Sequence, residues 1–556
     1  MPDAGRSRCR IWYTLGGMSS HREDHGPDHN GIRSYDALQG GSHHRNGFIS
    51  FVIFLVIVVI LGGVCWGGWL LYNRKGEVFE HTISMPTKAI SIASTSAPQS
   101  LDLRKDSGKG IEQALLNNVY ETLVSQDSSG TPAAGIAKSW VISPDGRSYT
   151  FYLNSGMHFS NGDALDAADV VWSLKQIITN KLVDANALAN VAEVSNSNAS
   201  TVTIRLTSPD PLLLRHLYGR AGIVYDKDAN INYATQALGS GPYTVSSWKP
   251  GTKLQLTLNT KYWGAQPTAV TQATFTYFSD AAAMVDALQS KSVDIATPLA
   301  PASMAKASND AKASKISLVT GKSSDTLALV FNARTDSVLS DQRFREAIRY
   351  MLDHAAIVAT QNGTATAIGG PLSPLDEGYE DLTGLHPHNT AKGAQMAYYF
   401  PPSYYNGSLR FIYPQSYGSA IGELVKTQLA AGGVPVTVTT VSDADWKKTV
   451  ESQHAFDMTL APMTGAADAA TFADPTSLSG YDSPDAQSEW KSVKASRNDT
   501  EYRKSIAAYA STVSTQSPVD WLYVSTPVTA YNHTVTNVPS NSTAEYFPLR
   551  GIGSAR

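Results

Sequence analysis

Gly321-Lys322-Ser323 ends like a phosphate-binding loop, but Ile316 stands where the first glycine must be, so the backbone cradle for a phosphate is missing. Neither a Gly-x-Ser-x-Gly nucleophile turn nor a His-Glu-x-x-His zinc helix occurs. His386-Pro387-His388 puts two imidazoles one residue apart, which suits either a metal pair or a polar loop around a proline. Asp468 and Asp474 have the right chemistry for an acid–base pair. No histidine or aromatic pocket stands beside them in the sequence. Cys9 and Cys65 both precede residue 73, so the rest of the chain has no thiol for a disulfide, a thiolate metal site or a nucleophile. These residues argue against an enzyme, and neither a metal nor another cofactor is expected.

The elements that would position such residues follow from periodicity. At 556 residues the chain is long enough for two or three cores. A net charge of −4 and the lack of a basic run speak against nucleic acid. Residues 48–72 are 25 uncharged positions with Val, Ile and Leu on every face. At about 1.5 Å per residue they span a bilayer core of roughly 30 Å. Trp66, Trp69 and Tyr72 sit at one end as interfacial aromatics do. An uncleaved signal anchor is expected; lipidation at Cys65, cleavage and a true start at Met18 remain open. The spacing predicts helices over residues 110–123, 166–178, 281–290, 341–352 and 420–431. Asp166 with Asp169 is the expected N-terminal cap of the second. Strands are predicted at residues 140–142 and 148–153 around a Pro144-Asp145-Gly146 turn, and at 201–206, 243–248, 254–258, 273–277 and 434–441. Strands mixed with helices throughout indicate an α/β protein.

Several stretches occur in a telling order. Val119-Tyr120-Glu121-Thr122-Leu123 is followed by residues 134–140 (AGIAKSW), residues 156–162 (GMHFSNG) and residues 168–174 (ADVVWSL). Then come Gly239-Ser240-Gly241-Pro242-Tyr243, Trp248-Lys249-Pro250-Gly251 and residues 259–264 (NTKYWG), with Phe331-Asn332, residues 344–348 (FREAI) and Gly370-Pro371-Leu372 beyond. Together they resemble the family 5 extracellular solute-binding proteins, the oligopeptide, dipeptide and nickel-type receptors of ABC importers. The resemblance covers roughly residues 95–540.

It implies an α/β, two-lobed periplasmic-binding-protein fold, with an extra small subdomain inserted in the first lobe and one transmembrane helix ahead of it. The implied division is a cytoplasmic leader (1–47), the anchor (48–72), a linker (73–85), the first lobe (86–117 and 238–330) and the inserted subdomain (118–237). The second lobe (331–520) and a return to the first lobe (521–556) complete it. Crossovers between lobes are expected near residues 329–332 and 520–524. The lobes would close on a small-molecule or peptide ligand, and the partners would be ABC permease subunits and their ATPases. The large domain would be extracytoplasmic and monomeric. A sensory binding module without transport is the alternative from another class. Ligand contacts are expected from the loop 105–110, Phe331, Asn332, Trp446, Pro462, Met463, Thr464, Asp468, Thr471 and Asp474. Relatives pair a buried aspartate with the α-amine of a peptide; Thr471 or Asp468 falls at that position here, depending on register. The GSGPY bend and Tyr262-Trp263 are expected to be scaffold, with the glycines serving backbone geometry.

Overall fold

The computed structural model describes residues 88–127, 130–267, 269–539 and 546–554. The expected leader, anchor, linker and both cysteines lie outside the described residues. Among the described residues no helix is long and apolar enough to cross a membrane.

Two mixed sheets carry the fold. The first has seven strands, in the order Ser317–Thr320, Val528–Tyr531, Ile295–Ala296, Ala89–Ser94, Gln272–Tyr277, Lys253–Leu258 and Tyr243–Lys249. Its strand Ala89–Ser94 is covered on both faces: Ile90 and Ile92 join one apolar core and Ala93 joins another. The second sheet has six strands, in the order Ala365–Thr366, Val519–Ser525, Asp325–Phe331, Met458–Thr464, Leu409–Pro414 and Val436–Val441. Along Asp325–Phe331, Leu327, Leu329 and Phe331 point into one core while Ala328 and Val330 point into the opposite one. Burial on both faces makes this strand an inner member of the second sheet, so it cannot also be the crossing. The chain passes between sheets at residues 321–324 and 526–527. The first crossing thus precedes the expected segment 329–332, and the second begins just beyond the expected segment 520–524.

The inserted unit has its own core around a four-stranded antiparallel sheet, Ala137–Ile142, Ser148–Leu153, Thr201–Leu206 and Val191–Asn198. Helix Ala167–Asn180 covers it and carries the expected cap, with Asp166 accepting from Ala168 N–H and Asp169 accepting from Asp166 N–H. The first helix is shorter than its periodicity predicts: it spans Lys109–Leu115. Asn117 takes a left-handed φ of 54°. The Asn118 amide donates to Ala114 O at 3.1 Å and Phe547 O at 2.8 Å, tying this turn to the C-terminal return.

Gly239 and Gly241 have ordinary φ; their need is space. A Cβ on Gly239 would lie 2.0 Å from Val119 O, and one on Gly241 would lie 2.6 Å from Asn118 O. The bend therefore lies directly on the backbone of residues 118–119, with Gly241 N–H donating to Val119 O at 2.9 Å.

Candidate functional site

Strand pairing fixes which residues stand near the crossings. Asp325 faces Thr464 at the crossover end, whereas Phe331 faces Met458 at the far end. The two ends are six residues apart, about 20 Å at roughly 3.3 Å per residue. At the crossover end the first lobe reaches the second through Lys109, whose Nζ lies 2.6 Å from Asp325 Oδ2. Beside it, Ser373 Oγ and Ser324 Oγ are 3.2 Å apart. Asp376 accepts from Ser373 N–H at 2.7 Å and, through the same Oδ2, from Ala466 N–H at 3.1 Å. Burial pushes the Asp376 carboxyl up from its ordinary value, and the N–H donors oppose that shift. Gly465 makes this contact possible. Its φ is +44°, and a Cβ there would lie 2.1 Å from Asp376 Oδ2.

Pro462, Met463, Thr464, Asp468, Thr471 and Asp474 follow from the strand Met458–Thr464 into this turn. Asp468 Oδ2 accepts from Thr464 N–H at 2.6 Å, and its Oδ1 meets no donor among the described residues. Thr326 Oγ1 donates to Met463 O at 3.1 Å, locking the strand end. Thr471 is half-buried, and Asp474 is exposed, with its Oδ1 taken by Thr476 N–H and hydroxyl. Those two bonds hold the Asp474 carboxyl below its ordinary range.

Three other candidates belong to the packing of the second lobe. Phe331 is fully buried. The Asn332 amide donates to Phe456 O at 2.9 Å and His454 O at 3.3 Å. Trp446 is 9% exposed, and its indole N–H donates to Thr459 Oγ1 at 2.8 Å beside Val450 and Phe456. The loop 105–110 contributes Lys109 to the crossover face. His386 and His388 do not act together: His386 is buried edge-on to Tyr350, and His388 faces the Thr390 hydroxyl. Among the described residues no group of three His, Cys, Asp or Glu is placed to hold a metal.

Sequence reasoning missed two features. Arg215 of the inserted subdomain forms an ion pair with Glu377 of the second lobe, which also takes Arg503 Nε at 2.5 Å. Glu377 follows Asp376 directly, so one short segment serves both the cleft and this bridge. The second is Glu121, which collects Tyr262 OH at 2.8 Å, Trp263 Nε1 at 2.7 Å and Ser240 Oγ at 2.8 Å. This explains the double aromatic: Tyr262 and Trp263 are donors to one half-buried carboxylate. The signal lay in three distant motifs, each reading as core when taken alone.

Two sheets joined by two adjacent crossings, with a polar face at the crossings, constitute the two-lobed periplasmic-binding-protein fold. The model for bacterial extracellular solute-binding proteins, family 5 Middle, matches residues 131–484, more than half of the chain. The chain belongs to this family. A glutathione-binding protein from Pectobacterium atrosepticum is 25% identical over 358 residues, covering 63% of this chain and 68% of that protein. The oligopeptide-binding protein OppA of Bacillus subtilis is 25% identical over 235 residues, covering 38% and 42%. For protein XP55 of Streptomyces lividans the match covers 54% of its length, so this chain spans from about two fifths to two thirds of these relatives. Among solved structures, the ABC transporter substrate-binding protein CtaP from Listeria monocytogenes superposes with a TM-score of 0.74 at 19% identity, covering 84% of this chain and 99% of that one. NikA from Brucella suis, in complex with Fe(III)-EDTA, gives 0.74 at 20% identity with the same coverage. At that identity the likeness shows the fold.

Proposed function

We propose that this protein is a membrane-anchored, extracytoplasmic solute receptor that captures an oligopeptide by lobe closure and delivers it to an ABC importer. The anchor is the apolar segment 48–72. The supporting observation is the crossover face, where Lys109 and Asp325 meet from opposite lobes and Asp468 keeps one carboxylate oxygen without a donor among the described residues. A peptide's α-ammonium would bind Asp468 Oδ1, with Thr464, Thr471 and Met463 beside it. Asp376 would hold the turn through Ala466 N–H, so the carboxylate is already positioned when ligand arrives. Closure follows because contacts from both lobes exist only in the closed state.

The test is a thermal-shift screen of the full-length chain in lipid nanodiscs against di- to nonapeptides, oligosaccharides and nickel–histidine chelates. A ligand at 100 times its Kd adds about 2.7 kcal/mol, which appears as a rise in Tm. Peptides are expected to raise it. A response confined to sugars or chelates would keep the receptor role and overturn the peptide assignment.

A further inference from the structure

A cavity of about 530 Å³ lies where the inserted subdomain meets the second lobe, within the roughly 300–1,000 Å³ range of small-molecule sites. None of its walls includes the crossover face. From the second lobe, helix Pro484–Lys494 presents Trp490 and Lys494, one turn apart on one face, with Lys491 beside them. From the subdomain come Asn186, Asn190 and Asp210. Asp210 Oδ1 is taken by Leu212 N–H at 3.0 Å, and Tyr149 OH donates to its backbone carbonyl at 2.8 Å. Asp210 Oδ2 lies 3.9 Å from Nε2 of His216, which also lines the cavity. Among the described residues neither lysine has a carboxylate partner, so the lining carries two lysine cations against one engaged anion. Among the described residues the side-chain amides of Asn186 and Asn190 and the indole N–H of Trp490 likewise meet no protein partner. Trp490 is half-buried, supported from within by Tyr509 at 5.1 Å between ring centroids.

An aromatic face, two neutral amides and two unpaired ammonium groups around a space of this size suit one chemistry: a saturated ring with hydroxyls and a negative charge. We propose that this cavity is a second binding site, separate from the crossover cleft, for a monosaccharide bearing a carboxylate or phosphate. The ring stacks on Trp490, hydroxyls meet Asn186 and Asn190, and the anion meets Lys491 and Lys494. Its walls come from the subdomain and the second lobe, so an occupant favours the arrangement in which they face each other. Where a solute in the main cleft selects that same arrangement, each occupant raises the other's affinity.

Isothermal titration of the full-length chain with D-glucuronate, D-glucose 6-phosphate and D-glucose tests this. At least one anionic sugar should bind 1:1 and at least tenfold more tightly than glucose, and which one binds distinguishes carboxylate from phosphate. Lys491→Met with Lys494→Met, both exposed positions, should remove that preference. Trp490→Leu should weaken binding tenfold and Trp490→Phe less. Asp468→Ala should leave it unchanged. Failure of all three sugars to bind overturns the proposal, as does indifference to the lysine variants. Loss with Asp468→Ala would place the sugar in the crossover cleft and overturn it too; a failed peptide screen would not touch it.

Discussion

Glu121 shows how much one side chain can organise. Its carboxylate satisfies three side-chain donors from two segments more than 100 residues away in sequence. Burial pushes its carboxyl up, and those three hydrogen bonds hold the shift back. Glu121→Gln replaces one acceptor oxygen by an NH2 that faces donors, so urea unfolding should show a loss of about 1–3 kcal/mol. At the cleft, Asp468→Ala should weaken free-amine peptides by about 1.5–3 kcal/mol, the range for hydrogen bonds to charged groups. Equal affinity for N-acetylated and free-amine peptides would contradict that role. His386 makes a separate prediction. Burial lowers its imidazole from 6.5 to about 4, and its Nδ1 has no partner. As pH falls, the unfolded chain takes a proton near 6.5, while the native state takes it only near 4. This residue therefore costs stability across that window as acid is added. His386→Phe should flatten the fall of Tm between those pH values; an unchanged slope would contradict the burial account.

At the scale of elements, local chemistry was readable where a segment decides its own structure. The Asp166 cap, the hairpin at Gly146 and the helix Ala420–Ala431 need only neighbours in sequence. Asp166→Ala should cost about 1 kcal/mol by removing that cap, measured by urea unfolding. Legibility ended where distant segments decide. Periodicity carries the first helix on to residue 123, but the carbonyls of Ala114 and Phe547 claim the Asn118 amide, and the helix stops at Leu115. Phe331-Asn332 was visible as a family stretch, yet only pairing with Met458 shows that it lies at the far end of its strand. Gly465 drew no attention, since its need arises from Asp376, about 90 residues away in sequence. Trp446 reads equally as cleft or core until Thr459 is seen to accept its N–H.

For the whole molecule, the proposed motion is closure of two lobes on a solute at the crossings. Among the described residues the direct covalent links between the sheets are two short segments, residues 321–324 and 526–527, which suits hinge motion. The Arg215–Glu377–Arg503 bridge ties the inserted subdomain to the second lobe. Glu377→Gln should therefore favour separation and weaken ligand binding several-fold while leaving the cleft residues intact. The most direct measurement uses the lack of thiols beyond residue 65. With Cys9 and Cys65 changed to Ser, spin labels on Lys312→Cys in the first lobe and Lys447→Cys in the second report lobe separation in the full-length chain. Saturating peptide should collapse the distance distribution to one narrower, shorter population. A distribution unchanged by a peptide that demonstrably binds would contradict closure at the crossings.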